Sequence, residues 1–433
     1  MPLLYFLVYN ILFIPCFFIL VQIACLFNNK VRRGVKGRKG LFTRLQSSLA
    51  VKAENEKRVW LHISSMGEFE QSRPIIDEIR KRMPDTQIIL SLFSPSAYDN
   101  IRIEDKKIFI SYLPMDSYLD TKKFIRIIAP DVALTVRHDI WPNFQWQLKR
   151  LKIPALLVDG SITDKRKNLY SFFRNPIRSV METYSWILTV SQESSERFEK
   201  IYSDKSRIQY TGDTRYDRVY QRSRDNSRIE FLQQSGFFDR ENTFVAGSTW
   251  PSDEKILYPA LLKMMTQNNN FKLIIAPHEP SVDHVQAIEN FFAKNQLAVE
   301  RLSRLKSGEP WSFRALVIDK IGLLANLYSL GRLAFVGGGF GPGVHNVLEP
   351  AAHGCAVFFG PRYNVSVEPQ LLIDSNGACS IASENEADDI LKLLIIDPAR
   401  LKTMGDEAQK FILDNMGAST RIVDIVEQYL KSH

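Results

Sequence analysis

A chain of 433 residues that is 45% hydrophobic and 24% charged has the make-up of an ordinary globular protein with room for two or three domains. Residues 30–58 hold ten basic and two acidic side chains, which accounts for the whole formal net charge of +8, so the rest of the chain is neutral overall and no nucleic-acid-binding domain is implied. Four cysteines, Cys16, Cys25, Cys355 and Cys379, have neither the spacing of a zinc site nor that of a disulfide framework.

Residues 1–29 come first. Leu3 to Phe27 is 25 residues without a charge. As a helix this run is about 38 Å long, enough for a bilayer's hydrocarbon core. The length predicts a retained single-pass membrane anchor. Residues 30–43 follow as a basic strip, with Lys30, Arg32, Arg33, Lys36, Arg38 and Lys39 inside ten residues. Excess Lys and Arg beside a span mark the cytoplasmic side, and such a strip suits an anionic membrane surface. The rest of the chain is expected on the cytoplasmic face.

From residue 58 short apolar runs alternate with amphipathic stretches. "RVWLHIS", "TQIILSLFS", "KIFISYLP", "VALTV", "IPALLVDG" and "SWILTVS" read as buried strands, with helical patterns such as "EQSRPIIDEIRKRM" between them. That is the βαβ signature of a parallel sheet. A polar stretch, 214–234, interrupts it. The alternation then restarts with "TFVAGST", "FKLIIAPH", "ALVID", "LAFVGGG" and "CAVFFGP". The reading is α/β, with Rossmann-like domains over 44–220 and 235–405 facing a cleft. A C-terminal helical segment, 406–433, is expected to pack back across the first domain.

In open α/β sheets, ligands bind beyond the carboxyl ends of the strands, so the loops after strands carry the chemistry. In "HISSMGEFEQSRP" an apolar run ends in small residues and a glycine, then Glu68 and Glu70. A carboxylate there is held rigidly at a strand's end, where it could take a proton. Glu70 reads as the charge that complements the helix dipole. In "LTVRHDIWPNFQ", Trp141 reads as packing. The segment 164–178 interleaves Lys165, Arg166, Lys167, Arg174 and Arg178 with Tyr170, Phe172 and Phe173, a composition suited to a membrane interface. In "VAGSTWPSDEKIL", Ser248 and Thr249 either bond a phosphate or cap the helix that starts at Pro251. His278 follows another strand end.

The richest loop is "LAFVGGGFGPGVHNVLEPAAHG". It holds five glycines in seven residues, 337–343, then His345, Asn346 and Glu349 where a helix must begin, because Pro350 fits only a first turn. Glycines before a helix N-terminus let backbone N–H groups approach an anion. Neither G-x-G-x-x-G nor a P-loop is present, which favours the phosphate of a nucleotide sugar over NAD or ATP. No metal-ligand pattern and no D-x-D occurs.

These motifs together resemble the 3-deoxy-D-manno-octulosonic acid (Kdo) transferases of lipopolysaccharide synthesis, which are membrane-anchored glycosyltransferases of the GT-B fold. The resemblance runs from the anchor and basic strip through "SSMGEFEQSRP", "DIWPN", "TGDTRYDR" and "GSTWPSDE" to "FVGGGFGPGVHNVLEPAAHG". It implies transfer of Kdo from CMP-Kdo to the lipid A precursor, with inversion and without a metal or other cofactor. It implies Glu68 as the catalytic base. It implies Gly338, Gly339, His345, Asn346 and Glu349 as the donor loop. The chain departs from the family pattern twice. Arg137, followed by His138, stands where an acidic residue precedes "WPN" by four, leaving Asp139 as the nearby acid. Pro277-His278-Glu279 stands where the family has "PRH", so His278 takes an arginine's place. A GT-B transferase with a different nucleotide sugar is the alternative reading.

Overall fold

A computed structural model describes residues 3–49, 51–137, 139–162, 174–306 and 310–431. His138 and most of the basic and aromatic segment, residues 164–173, lie outside the described residues. The chain divides into two compact units, Met1–Arg218 with Met416–His433, and Val219–Asn415.

The first unit opens with one continuous helix, α1 (Leu3–Phe27), which contains a π-helical stretch at Val8–Phe13. By length and composition it could cross a membrane. A second helix, α2 (Asn29–Arg38), follows directly and carries most of the basic strip. Seven parallel strands then form one sheet: β1 (Arg58–Ile63), β2 (Gln87–Leu92), β3 (Ile108–Tyr112), β4 (Val132–Val136), β5 (Ala155–Gly160), β6 (Trp186–Thr189) and β7 (Ile208–Tyr210). Their spatial order is β3-β2-β1-β4-β5-β6-β7. Every residue of β1, β4 and β5 is buried, as expected of a parallel sheet covered on both faces. Helices α3 (Met66–Arg82), α4 (Pro95–Asn100), α5 (Tyr118–Ile128) and α6 (Pro142–Arg150) supply part of that cover.

The order reverses at β1, which is flanked by β2 on one side and β4 on the other. The loops after β1 and β4 therefore sit at the topological switch point, where open α/β sheets bind ligands. "HISSMGEFE" and "RHDIWPN" are those two loops.

The second unit repeats the plan. Its strands are β8 (Thr243–Thr249), β9 (Lys272–Pro277), β10 (Val299–Arg301), β11 (Ala315–Val317), β12 (Leu333–Val336), β13 (Ala356–Phe359) and β14 (Ala378–Ser380), in the order β10-β11-β9-β8-β12-β13-β14. Alternation along the strands splits the core. Phe244, Ala246, Phe335 and Phe358 pack on one face, with Leu257 and Leu261 of α7 (Pro251–Gln267). Val245, Ala334 and Tyr328 pack on the other. The switch point lies at β8, between β9 and β12. The loops that follow β8, β9 and β12 carry Ser248–Trp250, His278 and the glycine run. A short helix, α8 (Leu348–Ala352), begins just beyond it, with Pro350 inside its first turn.

The last helix, α9 (Ala418–Lys431), belongs to the first unit. Ile422, Val423 and Val426 join Val59, Leu61, Ile75 and Ile79 in one apolar cluster. Its entry is pinned by Asp217, whose carboxylate accepts from Gly417 N at 2.7 Å and Ser419 N at 3.1 Å.

Candidate active site

The turn after β1 is built around one carboxylate. Ser65 is the N-cap of α3 and accepts from Glu68 N at 3.3 Å. Glu68 reaches back, and its Oε2 accepts from Ser64 N and Ser64 Oγ, both at 2.6 Å, and from Ser65 N at 3.1 Å. This is a capping box. It satisfies helix-end donors and fixes the carboxyl group by three bonds to one oxygen. The other oxygen, Oε1, takes no hydrogen bond among the described residues.

This reassigns the two acids of the turn. α3 begins at Met66, so Glu68 is the first-turn acid, and the helix-dipole role expected of Glu70 falls to Glu68. Glu70 instead binds Arg218, with Nε and Nη2 at 2.8 and 2.6 Å from Oε2.

Beneath this turn lies a buried polar chain. His62 in β1 meets Asp139 Oδ2 through Nε2 at 2.8 Å and Ser91 Oγ through Nδ1 at 2.9 Å. Ser91 Oγ also accepts from Trp60 Nε1 at 2.8 Å. Asp139 thus faces the imidazole at the end of β1. Arg137 turns the chain out of β4 with a left-handed backbone, φ 61°. Trp141 packs as expected: its ring centroid lies 5.0 Å from that of Phe93.

In the second unit the loops after β8, β9 and β12 converge. Trp250, His278 and His345 form a stack of rings, with centroids 4.8 Å apart for Trp250–His278 and 4.2 Å for His278–His345. Trp250 Nε1 donates to His345 Nε2 at 2.8 Å. That nitrogen must carry a lone pair, so the ring proton sits on Nδ1. Burial and the neighbouring His278 hold the His345 pKa below its ordinary value, with Asp253 opposing the shift. The imidazole is therefore neutral near pH 7 and offers one N–H.

Asp253 shapes the glycine run. Its Oδ2 accepts from Gly338 N at 2.8 Å and Trp250 N at 2.9 Å, and its Oδ1 from Phe340 N at 3.1 Å. It is fully buried. Gly338 has φ 95°, a conformation L side chains rarely adopt. A Cβ at Gly339 would stand 2.5 Å from Gly360 N, so both positions require glycine.

Asn346 Oδ1 accepts from Leu348 N at 3.1 Å, at the mouth of α8. Glu349 lies in that helix's first turn, with Oε1 3.4 Å from Arg222 Nη1. The two alternatives for Ser248 and Thr249 are narrowed. Neither caps α7, since Trp250 holds the N-cap position. Thr249 is buried and donates to Glu254 Oε1 at 2.9 Å, which commits its hydroxyl to the fold. Ser248 is half-buried with a left-handed backbone, φ 54°.

Trp250, Asp253 and His62 were not singled out from the sequence. Their partners lie tens of residues away, so only the placement of Asp253 three residues past the N-cap gave a local signal.

Comparison with known proteins adds a family to this geometry. Residues 35–218 match the family model described as 3-deoxy-D-manno-octulosonic-acid transferase. A bifunctional glycosyltransferase/methyltransferase of Fusobacterium nucleatum is 26% identical over 319 residues; that is 72% of this chain but 48% of that protein, so the chain spans about half its length. The 3-deoxy-D-manno-octulosonic acid transferase of Rickettsia bellii is 22% identical over 436 residues, 99% of each chain. Among solved structures, the UDP-GlcNAc 2-epimerase of Neisseria meningitidis bound to UDP-GlcNAc aligns with a TM-score of 0.61 at 15% identity, covering 86% of this chain and 100% of that one. At that identity the likeness concerns fold alone, and the fold is of GT-B type. The N-terminal domain thus matches the model of the 3-deoxy-D-manno-octulosonic acid transferase family, and the chain is similar end to end to a transferase of that description.

Proposed function

We propose that this chain transfers Kdo from CMP-Kdo to a hydroxyl of the lipid A precursor, inverting the anomeric centre, at the cytoplasmic face of the inner membrane. One observation carries the mechanism: Glu68 has one carboxylate oxygen pinned by three hydrogen bonds and the other without a partner among the described residues. The pinned oxygen fixes the group's direction. The open oxygen accepts the proton of the acceptor hydroxyl as that oxygen attacks the anomeric carbon. The bond from that carbon to the CMP phosphate breaks, and CMP leaves with the electron pair.

The donor rests on the second domain. The Gly339 N–H, which has no acceptor among the described residues, and Nδ1–H of His345 face the phosphate and stabilise the charge that develops on it. Glu349 and Asn346 take ribose hydroxyls, and Ser248 and His278 lie at the rim. A monophosphate leaving group held in this way needs no divalent cation, so chelation of metals should leave turnover unchanged.

The test is Glu68→Gln. Glutamine can keep the capping bonds through its amide oxygen but cannot take the proton. Turnover with CMP-Kdo and lipid A precursor should fall about 10²–10⁴-fold, while CMP still raises the melting temperature as it does for the parent chain. Near-normal turnover by a folded Glu68→Gln protein would move the base elsewhere, with Asp139 first in line.

A further inference from the structure

Helix α1 is long enough to span a bilayer. A span with the basic strip on the cytoplasmic side would carry its first turns to the opposite leaflet. The structure seats those first turns on the first domain. Tyr9 Oη donates to Asp116 Oδ2 at 2.8 Å. Asn10 and Asn143 exchange amide hydrogen bonds at 3.0 and 2.9 Å. The Phe6 ring lies 5.6 Å from Tyr118 and 5.7 Å from Trp146, and Phe17 lies 6.3 Å from Trp141. These contacts run along about 16 Å of helix axis.

The far end is fastened to the same domain. Arg38 Nε donates to Leu113 O at 2.7 Å and Nη2 to Phe93 O at 3.0 Å, with its guanidinium over the Phe93 and Tyr112 rings. Arg33 pairs with Asp99 at 3.0 Å. Crossing the bilayer would either break the polar contacts of Tyr9 and Asn10 or draw α6, with Gln145, Gln147, Lys149 and Arg150, into hydrocarbon. Hydrocarbon tolerates neither unpaired polar groups nor uncompensated charges.

We propose that α1 lies in the plane of the membrane surface, one face clamped to the first domain and the other sunk into the headgroup–acyl boundary of an anionic leaflet. This rests on the membrane-bound Kdo-transfer reading above, and it replaces the spanning path expected from length. The face opposite the clamp is apolar and bare: Leu4, Ile11, Leu12, Leu20, Leu26 and Phe27 are all at least 60% exposed. The occupant follows from charge. Lys30, Lys36 and Lys39 are exposed beside this face and complement anionic lipid head groups. An apolar face flanked by cations is the arrangement of an interfacial helix.

The test uses the full chain in bacterial inner membranes, with an epitope fused ahead of Met1. Protease should remove the epitope from inverted vesicles and leave it intact in spheroplasts; the reverse pattern means a span and overturns the proposal. A second measurement does not depend on the tag. In a background of C16A and C25A, the N10C/N143C pair should be joined by a short bismaleimide in the membrane-bound protein, while N10C alone gives no such product. A folded, membrane-bound pair that fails to join overturns the clamp. Protein that stays in solution beside phosphatidylglycerol vesicles while still transferring Kdo overturns the lipid assignment and leaves the enzymatic reading standing. Protein that passes both topology tests but transfers no Kdo keeps the in-plane helix and removes the enzymatic reading.

Discussion

The two domains place an acid at the same spot and use it in opposite ways. Glu68 stands three residues past the N-cap of the helix that follows β1, and Asp253 three residues past the N-cap of the helix that follows β8. Each accepts the backbone N–H of its own N-cap residue. Glu68 then stops, its other oxygen without a hydrogen bond among the described residues. Asp253 goes on to bind Gly338 N and Phe340 N and is buried completely. In the first domain the backbone holds a carboxylate for use. In the second a carboxylate holds the backbone, and takes two of the loop's own N–H groups to do so. The same capping geometry therefore leaves a carboxylate free at one place and commits it to the fold at the other; what the second oxygen does is the difference.

The sharpest way to break this comparison is the same conservative change at both places. Glu68→Gln should abolish most turnover and leave stability within about 1 kcal/mol, because an amide oxygen can replace the pinned oxygen. Asp253→Asn should do the reverse. Its amide NH₂ must face a backbone N–H, and the buried donors left unpaired cost about 2–4 kcal/mol. Urea unfolding and CMP-induced thermal shift read this out. If Asp253→Asn unfolds like the parent chain and binds CMP normally, the glycine loop does not depend on that carboxylate.

A second contrast lies in pH. Burial holds the His353 imidazole down to about 4, below its ordinary 6.5. As pH falls, the unfolded chain binds the proton first, so this contribution to stability is whole above 6.5 and is lost as pH falls toward 4. Asp159 in the first domain is shifted upward by burial and by the charge of Asp213. Its contribution has the opposite sign, present below the ordinary carboxylate range and lost as pH rises. His353→Gln keeps an N–H for Ala325 O, which His353 Nε2 meets at 2.7 Å. It should flatten the acid side of the stability profile by on the order of 3 kcal/mol at most between pH 6.5 and 4. An unchanged profile would mean that His353 titrates normally.

Smaller effects sharpen the assignment of individual acids. Glu349→Ala should weaken CMP about 10–150-fold by calorimetry, equivalent to roughly 1.5–3 kcal/mol for a hydrogen bond to a charged group. Glu70→Gln, which only loosens the pair with Arg218, should cost about 0.2–1 kcal/mol and leave turnover within a few-fold. A large turnover loss in Glu70→Gln would return that residue to the catalytic turn.

The strands that could be read from sequence were those with a continuous apolar run, including Ile108–Tyr112 at a sheet edge. "RVWLHI" and "VALTV" announce themselves because every position is apolar or internally paired. The three-residue strands Ile208–Tyr210, Val299–Arg301 and Ala378–Ser380 did not, since each is an edge strand with partly exposed residues and no apolar run. In the site, Glu68 was legible because a strand end, a glycine and a helix pattern frame it within a few residues. The helix begins at Met66, ahead of the amphipathic pattern, so the dipole role expected of Glu70 belongs to Glu68. The ring stack of Trp250, His278 and His345 was illegible for another reason. It joins three separate strand ends, and no local pattern encodes which loops a sheet order will bring together.

The return of the chain to its first domain has a consequence for synthesis. The helix Ala418–Lys431 buries Ile422, Val423 and Val426 against strands and helices completed some 200 residues earlier in the chain. At about 5–20 residues per second, the ribosome needs on the order of 10–40 s to travel from Arg218 to that helix. Through that interval the first domain waits with an open apolar face while the second, whose strands all lie in one stretch, can close. The domain made first is thus finished last, and a nascent chain stalled near residue 415 should carry a folded second domain beside an unfinished first one that chaperones can still bind.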